Sequence, residues 1–262
     1  MTPAGHYRGT VDTEPKHAPT IAELKLFMNE CMRYFDRPKM RVPETNRRQM
    51  LTLYGPCVQV IRFNRSVAIL DERNHHIEVR VLARSALEYA ATAQYAYLRV
   101  DGIDRLRKGA AIHQRELMER MAKWTDDSEY LLMVDDVHVP ETAKAMPSVA
   151  DVFRTLDPEG KVFESAYALL SQSTHVRASS LTQYFKRSGD FVGLNPGVEE
   201  DPFQHFTMTT LALATMAVTW IMARISSDET MLEWLDQKSD ALGLPLRYDQ
   251  DWPEAQRAHK DL

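Results

Sequence analysis

The chain has 262 residues, of which 44% are apolar and 26% are charged, and these fractions are typical of a folded globular protein. The formal net charge of −5 excludes a general electrostatic attraction to nucleic acid or to anionic membranes. The 10 glycines disfavour an all-β or Rossmann-type fold, and the 2 isolated cysteines exclude a disulfide framework. The N-terminus has no apolar core of signal-peptide length, so we expect a cytoplasmic protein.

Helical periodicity, capping residues and turn residues predict a series of helices along the chain. The predicted helices span 21–36, 45–70 with a kink or break at Gly55-Pro56, 77–100, 104–124, 149–156, 162–185, 203–225 and 228–242. The stretch 125–147 is predicted to be a long loop with at most one short helical turn, and 187–202 is predicted to be another long loop. The predicted fold class is therefore all-α, an antiparallel multi-helix bundle with a central apolar helix.

The domain organisation follows from the ends of the helical pattern. Residues 1–19 are polar, contain prolines and are predicted to be a disordered tail. A capping box, Thr20-x-x-Glu23, opens a single helical-bundle domain over residues 20–242, which Gly243 ends. Residues 243–262 are predicted to be a polar C-terminal tail.

The segment from Pro202 to Ala223 contains no Asp, Glu, Lys or Arg and is long enough to approach a membrane span. Five threonines interrupt its apolar sequence. A helix that is apolar all round is also what the centre of a bundle requires. We therefore predict a buried core helix and no contact with a membrane.

Two predicted helices each carry two polar residues four positions apart: Arg84 with Glu88, and Ser171 with His175. Residues at this spacing lie side by side on one face of a helix. An exposed ion pair and a histidine at a helix end are the structural interpretations. The functional hypothesis is a polar site between the helices, which binds a small anionic ligand or holds the helices in register.

The same residues carry a resemblance to a known family. The sequences ARSALE and YALLSQSTH, in two successive long helices, resemble domain-of-unknown-function family 5677 over roughly Gln49 to Arg224. Arg84 and Glu88 match its Arg-x-x-x-Glu element, and Ser171 and His175 match its Ser-x-x-x-His element. The resemblance implies an all-helical bacterial fold and no established activity.

A second, more distant resemblance concerns Arg107 and His113. Their spacing is similar to the Arg-x(4–6)-His element of the HEPN superfamily of helical ribonucleases, in which arginine holds the phosphate and histidine acts as acid or base. The resemblance implies an alternative function, metal-independent RNA cleavage in stress or phage defence. Arg84 and His175 would supply similar chemistry from two helices.

Metal and nucleic-acid sites have weaker signals. Glu72-x-x-His75 has the spacing of a di-iron ligand pair but lacks the second copy that such sites need, so we predict no metal and no cofactor. The basic run Arg33–Arg48 is the best candidate for nucleic-acid binding, although such charges usually form a solvated face. We expect a small ligand or a protein as the partner, and the sequence leaves a homodimer open.

Overall fold

The computed structural model describes residues 18–135, 142–174, 185–188, 191–194, 201–249 and 252–259. The fold of these residues is all-α, which confirms the predicted fold class. The helices are α1 (Ile21–Phe35), α2 (Arg47–Asp71), α3 (His76–Leu98), α4 (Gly102–Thr125), α5 (Glu129–Asp135), α6 (Val149–Leu156), α7 (Phe163–Ser171), α8 (Gln204–Ser226) and α9 (Glu229–Leu242).

Helix α8 is the most deeply buried helix of the described fold, and it contacts α1, α2, α3 and α9. By length and apolar character α8 would be able to cross a membrane, but 89% of its most apolar stretch is buried inside the fold. This burial fits the predicted core helix, because a helix that is apolar all round needs apolar neighbours on every side.

The threonines of α8 explain how a core helix tolerates so many hydroxyl groups. Each hydroxyl donates a hydrogen bond of 2.6–2.9 Å to the carbonyl oxygen four residues earlier. The donors are Thr207, Thr209, Thr210, Thr215 and Thr219. A hydroxyl group bonded in this way can be buried without losing its hydrogen bond. Thr215 also accepts a hydrogen bond from the side-chain amide of Asn64, a buried residue of α2.

Local signals set several helix ends where the sequence predicts them. Thr20 and Glu23 form the capping box of α1, and the hydroxyl of Ser148 caps α6. Pro56 lies inside α2, which is not split there. The preceding residue is a glycine, which lacks the Cβ atom that would clash with the proline ring.

The predicted helix 162–185 is not continuous, because α7 ends at Ser171, residues 172–174 form a turn and Phe185 belongs to a strand, while residues 175–184 lie outside the described residues. The carbonyl oxygen of Ser171 accepts hydrogen bonds from the backbone N–H of Thr174 at 3.2 Å and from its hydroxyl at 2.9 Å. In a continuing helix this carbonyl would accept the N–H four residues later. These bonds therefore end the helix one turn before the predicted Ser-x-x-x-His pair is complete.

Two regions predicted to be mainly loop contain regular structure. Helix α5 has 7 residues within 125–147, where at most one short helical turn was predicted. The strands β1 (Phe185–Ser188) and β2 (Phe191–Leu194) pair antiparallel where a loop was predicted from residue 187. The hairpin is small, and the described fold remains all-α.

The described part of the C-terminal segment packs against the helices. The backbone N–H of Val100 donates to Gln256 O at 3.0 Å, and that of Ala258 donates to Leu98 O at 2.7 Å. The indole N–H of Trp252 donates to the carbonyl oxygen of Thr155 at 2.8 Å. The buried residues of the segment are Leu244, Leu246, Arg247, Asp249 and Trp252. The predicted domain boundaries stay a prediction, but the described residues after α9 are not an exposed tail.

The hydrogen bond between Asn64 and Thr215 leads to a testable prediction about the core. Thr215→Val should lower the free energy of unfolding by about 1–3 kcal/mol, because the buried amide of Asn64 then lacks an acceptor. Thr210→Val is the matched control, since the buried Thr210 hydroxyl donates only within α8. Thr210→Val should lower the free energy of unfolding by less than about 1 kcal/mol. Urea unfolding followed by circular dichroism measures both free energies. An equal loss in the two variants would show that the Asn64–Thr215 hydrogen bond does not stabilise the core.

Candidate functional site: a polar stripe on helix α3

Helix α3 carries polar residues at four successive positions with a spacing of four: His76, Arg80, Arg84 and Glu88. This spacing places them along one slowly winding stripe of the helix. The other faces of α3 are rich in buried alanine, leucine and tyrosine, and α3 contacts α8 and α7. The stripe is therefore the polar part of a helix that is otherwise largely in the core.

Arg84 lies in the contact between α3 and α7. Its guanidinium donates a hydrogen bond to the Tyr167 hydroxyl and lies 4.6 Å from the centroid of the Tyr167 ring. It also forms an ion pair of 2.9 Å with Glu88. The side chains of Arg84 and Glu88 are 21% and 25% exposed, so this pair is neither a free surface pair nor a fully buried one.

Two buried polar atoms on α3 and α7, Nε of Arg84 and the hydroxyl oxygen of Ser171, have no hydrogen-bond partner within the part of the chain that the structure describes. Ser171 is the last residue of α7 and follows Tyr167 by one helical turn, so both residues lie on the same face of α7. His175, the fourth predicted site residue, lies outside the described residues.

The stripe continues into an ion pair that the sequence analysis missed. Arg80 binds Asp201 through Nε, at 3.0 Å from Oδ2, and through a second nitrogen that contacts Oδ1. Both side chains are nearly inaccessible to solvent. A guanidinium that contacts both carboxylate oxygens fixes the partner's orientation as well as its distance. Arg80 therefore ties α3 to the segment that leads into α8. In the sequence, the only sign of this ion pair is the position of Arg80 one helical turn before Arg84.

A second cluster lies at the start of the stripe, around the buried carboxylate of Asp71. Lys25 and Gln204 donate hydrogen bonds to this carboxylate, and His76 Nδ1 lies 3.7 Å from Oδ1. Burial raises the pKa of Asp71, but the hydrogen bonds from Lys25 and Gln204 outweigh it, and the pKa lies below its ordinary value. The cluster thus keeps a charged carboxylate between α1, α2, α3 and α8.

The alternative ribonuclease pair, Arg107 and His113, lies on an exposed part of α4. Both residues are exposed, and the His113 side chain is 82% exposed. A separation of six residues places them about 120° apart around the helix. His113 Nδ1 lies 3.8 Å from Glu116, which is its closest charged partner here. This geometry does not bring the two residues into a common pocket.

Part of the basic run Arg33–Arg48 lines an open cleft of about 380 Å³. The residues that line the cleft include the basic Arg37, Lys39 and Arg41 and the acidic Asp228 and Glu229. Arg37 is paired with Asp228 at 2.8 Å. The acidic residues offset much of the positive charge, which weakens the cleft as a nucleic-acid site. Among the residues that the structure describes, no group of three or more His, Cys, Asp or Glu side chains could hold a metal ion.

A comparison with known families identifies the family to which the chain belongs. The model of a family of unknown function, DUF5677, matches residues 53–192, which is more than half of the chain. The chain belongs to the DUF5677 family. The match begins within α2 and ends within β2, so it includes the polar stripe of α3 and helix α7 but stops before α8. It does not show the HEPN similarity. Searches of curated proteins and of solved structures found no significant match.

The contacts of Arg84 predict which partner holds it in this DUF5677 protein. A double-mutant cycle of Arg84→Ala with Tyr167→Ala should give a coupling energy of about 1–2 kcal/mol, from the charged hydrogen bond and the cation–π contact. The cycle of Arg84→Ala with Glu88→Ala should give less than about 1 kcal/mol, because that pair is partly solvated. Thermal unfolding measures both cycles. A larger coupling to Glu88 would show that the ion pair, and not the tyrosine, fixes Arg84.

Proposed function

We propose that this DUF5677 protein is a cytoplasmic bacterial binding or regulatory module that takes a small anionic ligand between α3 and α7. The proposal is supported by two buried polar atoms, Nε of Arg84 on α3 and the hydroxyl of Ser171 on α7, neither of which has a hydrogen-bond partner among the described residues. Buried polar groups are ordinarily hydrogen-bonded. The oxygen atoms of a carboxylate or phosphate group would supply the missing acceptors.

The surroundings of Arg84 suit an oxyanion. A guanidinium is permanently charged and presents a planar set of donors that matches carboxylate and phosphate groups. The Tyr167 ring packs against the Arg84 guanidinium, whose central carbon lies 4.6 Å from the ring centroid. The Glu88 carboxylate, at 2.9 Å, occupies one donor and is itself an anion. A ligand would therefore replace Glu88 on Arg84, and Glu88 would act as a built-in competitor.

This competition gives a prediction with a defined direction. Phosphate, sulfate and succinate, each compared with sodium chloride at equal ionic strength, should raise the melting temperature if they bind the folded protein. A ligand at ten times its Kd stabilises by about 1.4 kcal/mol, which corresponds to about 3–5 °C in a domain of this size. Glu88→Gln should increase the shift because it removes the competing charge. Arg84→Gln should abolish it.

Arg120→Gln is the matched control, because Arg120 also faces a glutamate four positions away, Glu116 at 3.9 Å, but on an exposed part of α4. Its ligand-induced shift should equal that of the unmodified protein. An equal shift in Arg84→Gln would place the binding elsewhere. No shift with any of the anions, together with a large loss of stability in Arg84→Gln, would reduce the site to a structural link between α3 and α7.

The HEPN-like ribonuclease remains the alternative hypothesis, and the exposed positions of Arg107 and His113 do not favour it. RNA incubated with the purified protein in EDTA should therefore stay intact. Catalysis of this kind requires a positioned base and a phosphate-binding arginine. Metal-independent cleavage that disappears in His113→Ala, and persists in Arg84→Gln, would replace the binding proposal with the ribonuclease.

A further inference from the structure

A cluster of aromatic and charged side chains surrounds Tyr97, near the C-terminal end of helix α3. The Tyr97 ring packs edge-on against Trp220 of α8, with ring centroids 5.6 Å apart. The imidazole of His259 stacks on the Tyr97 ring at 4.4 Å. The Tyr97 side chain is also hydrogen-bonded to Arg224, which lies in the last turn of α8. Because His259 belongs to the C-terminal segment, the cluster joins this segment to α3 and α8.

The place of His259 depends on the docking of the residues just before it. The backbone N–H of Ala258 donates to Leu98 O, and that of Val100 donates to Gln256 O. These two hydrogen bonds hold the segment along the end of α3. If they open, His259 leaves the Tyr97 ring and enters solvent.

The docked imidazole is poorly placed to accept a proton. One ring nitrogen of His259 is hydrogen-bonded to the backbone of Tyr97. The Nε2 atom is buried and has no hydrogen-bond partner among the described residues. A proton added to this ring would therefore place a charged N–H group in a buried position without an acceptor.

The charges that face His259 are mainly positive. Arg224 of α8 and Arg247 of the C-terminal segment both act against a positive charge on the imidazole, while Asp249 favours it. Asp249 is already paired with Arg247 at 2.8 Å, and both side chains are almost fully buried. A protonated His259 would thus be the third cation beside a single carboxylate of this cluster. Repulsion of this kind favours the form in which the imidazole is solvated.

These surroundings lower the proton affinity of the docked histidine. Burial lowers the pKa of His259 below its ordinary value of 6.5, and the charge of Arg224 lowers it further. In the undocked segment the pKa would be ordinary, so a proton binds the undocked form more tightly. The stabilisation of docking is therefore complete above about pH 6.5 and is lost as the pH falls towards the pKa of the docked histidine.

We infer that His259 is a proton sensor, and that protonation of its imidazole beside Tyr97, Arg224 and Arg247 releases residues 254–259 from α3 and α8. The earlier part of the segment has its own anchors, since Leu244, Leu246 and Trp252 are buried. The release is therefore local, and the helical core stays folded.

The first experiment measures the sensor and the docking separately in the full chain. Nuclear magnetic resonance gives the pKa of His259, whose signal His259→Gln identifies, and this pKa should lie below about 6.5. Hydrogen exchange of the Val100 and Ala258 amides, corrected for the intrinsic exchange rate, gives the opening constant of the segment. As the pH falls, this constant should rise by about tenfold for each pH unit by which the pKa of His259 lies below about 6.5.

Variants assign the pH dependence to the cluster. In His259→Gln the opening constant should no longer depend on pH, because glutamine does not titrate. Arg224→Gln should raise the pKa of His259 towards its ordinary value and reduce the pH dependence. His113→Gln is the matched control, because His113 lies on α4 and its side chain is 82% exposed. It should leave the pH dependence unchanged, and circular dichroism verifies that each variant is folded.

Three results would overturn the inference. They are a pKa of His259 at or above about 6.5, an opening constant that does not change with pH, and a pH dependence that persists in His259→Gln. The first would show that docking does not weaken proton binding. The second would show that the proton does not release the segment, and the third would make another group the sensor.

Discussion

The burial of helix α8 is the constraint on which the rest of the fold depends. No Asp, Glu, Lys or Arg lies between residues 202 and 223, so this helix has no charged face suited to solvent. Contacts with α1, α2, α3 and α9 enclose it. The threonine hydroxyls do not break this burial, because each donates to a carbonyl within α8. Because α3 packs against α8, only the sides of α3 that face away from α8 can carry polar residues.

The polar stripe of α3 then connects the outer segments to this core. Each basic residue of the stripe meets a partner from a different part of the chain: His76 lies near Asp71 of α2, Arg80 binds Asp201, and Arg84 contacts Tyr167 of α7. The pair Arg80–Asp201 is nearly inaccessible to solvent and its contacts are complete. Arg84 is different, since one of its buried donors has no acceptor and its ion pair is partly exposed. That difference is why Arg84, and not the stronger pair, marks the candidate site.

Local interactions were predictable from the sequence and non-local ones were not. The caps at Thr20 and Ser148 depend on residues three positions away, so the helix starts follow from short patterns. The early end of α7 depends on hydrogen bonds from Thr174 that periodicity does not reveal. The pair Arg80–Asp201 joins residues that are 121 positions apart, and no spacing rule connects them. For the candidate site, the sequence therefore indicated Arg84 and Glu88 but not Tyr167, the residue that holds the guanidinium.

The candidate site and the second half of α4 differ in how far the rest of the fold supports them. The buried residues of α4 all lie in its first half, and none of the residues 112–133 is buried. Short isolated helices are marginal in water, so this half of α4 depends on its packing against α5. Arg84 lies instead on α3, which packs against α2, α7 and α8. The candidate site is therefore built on a helix that the core holds in place.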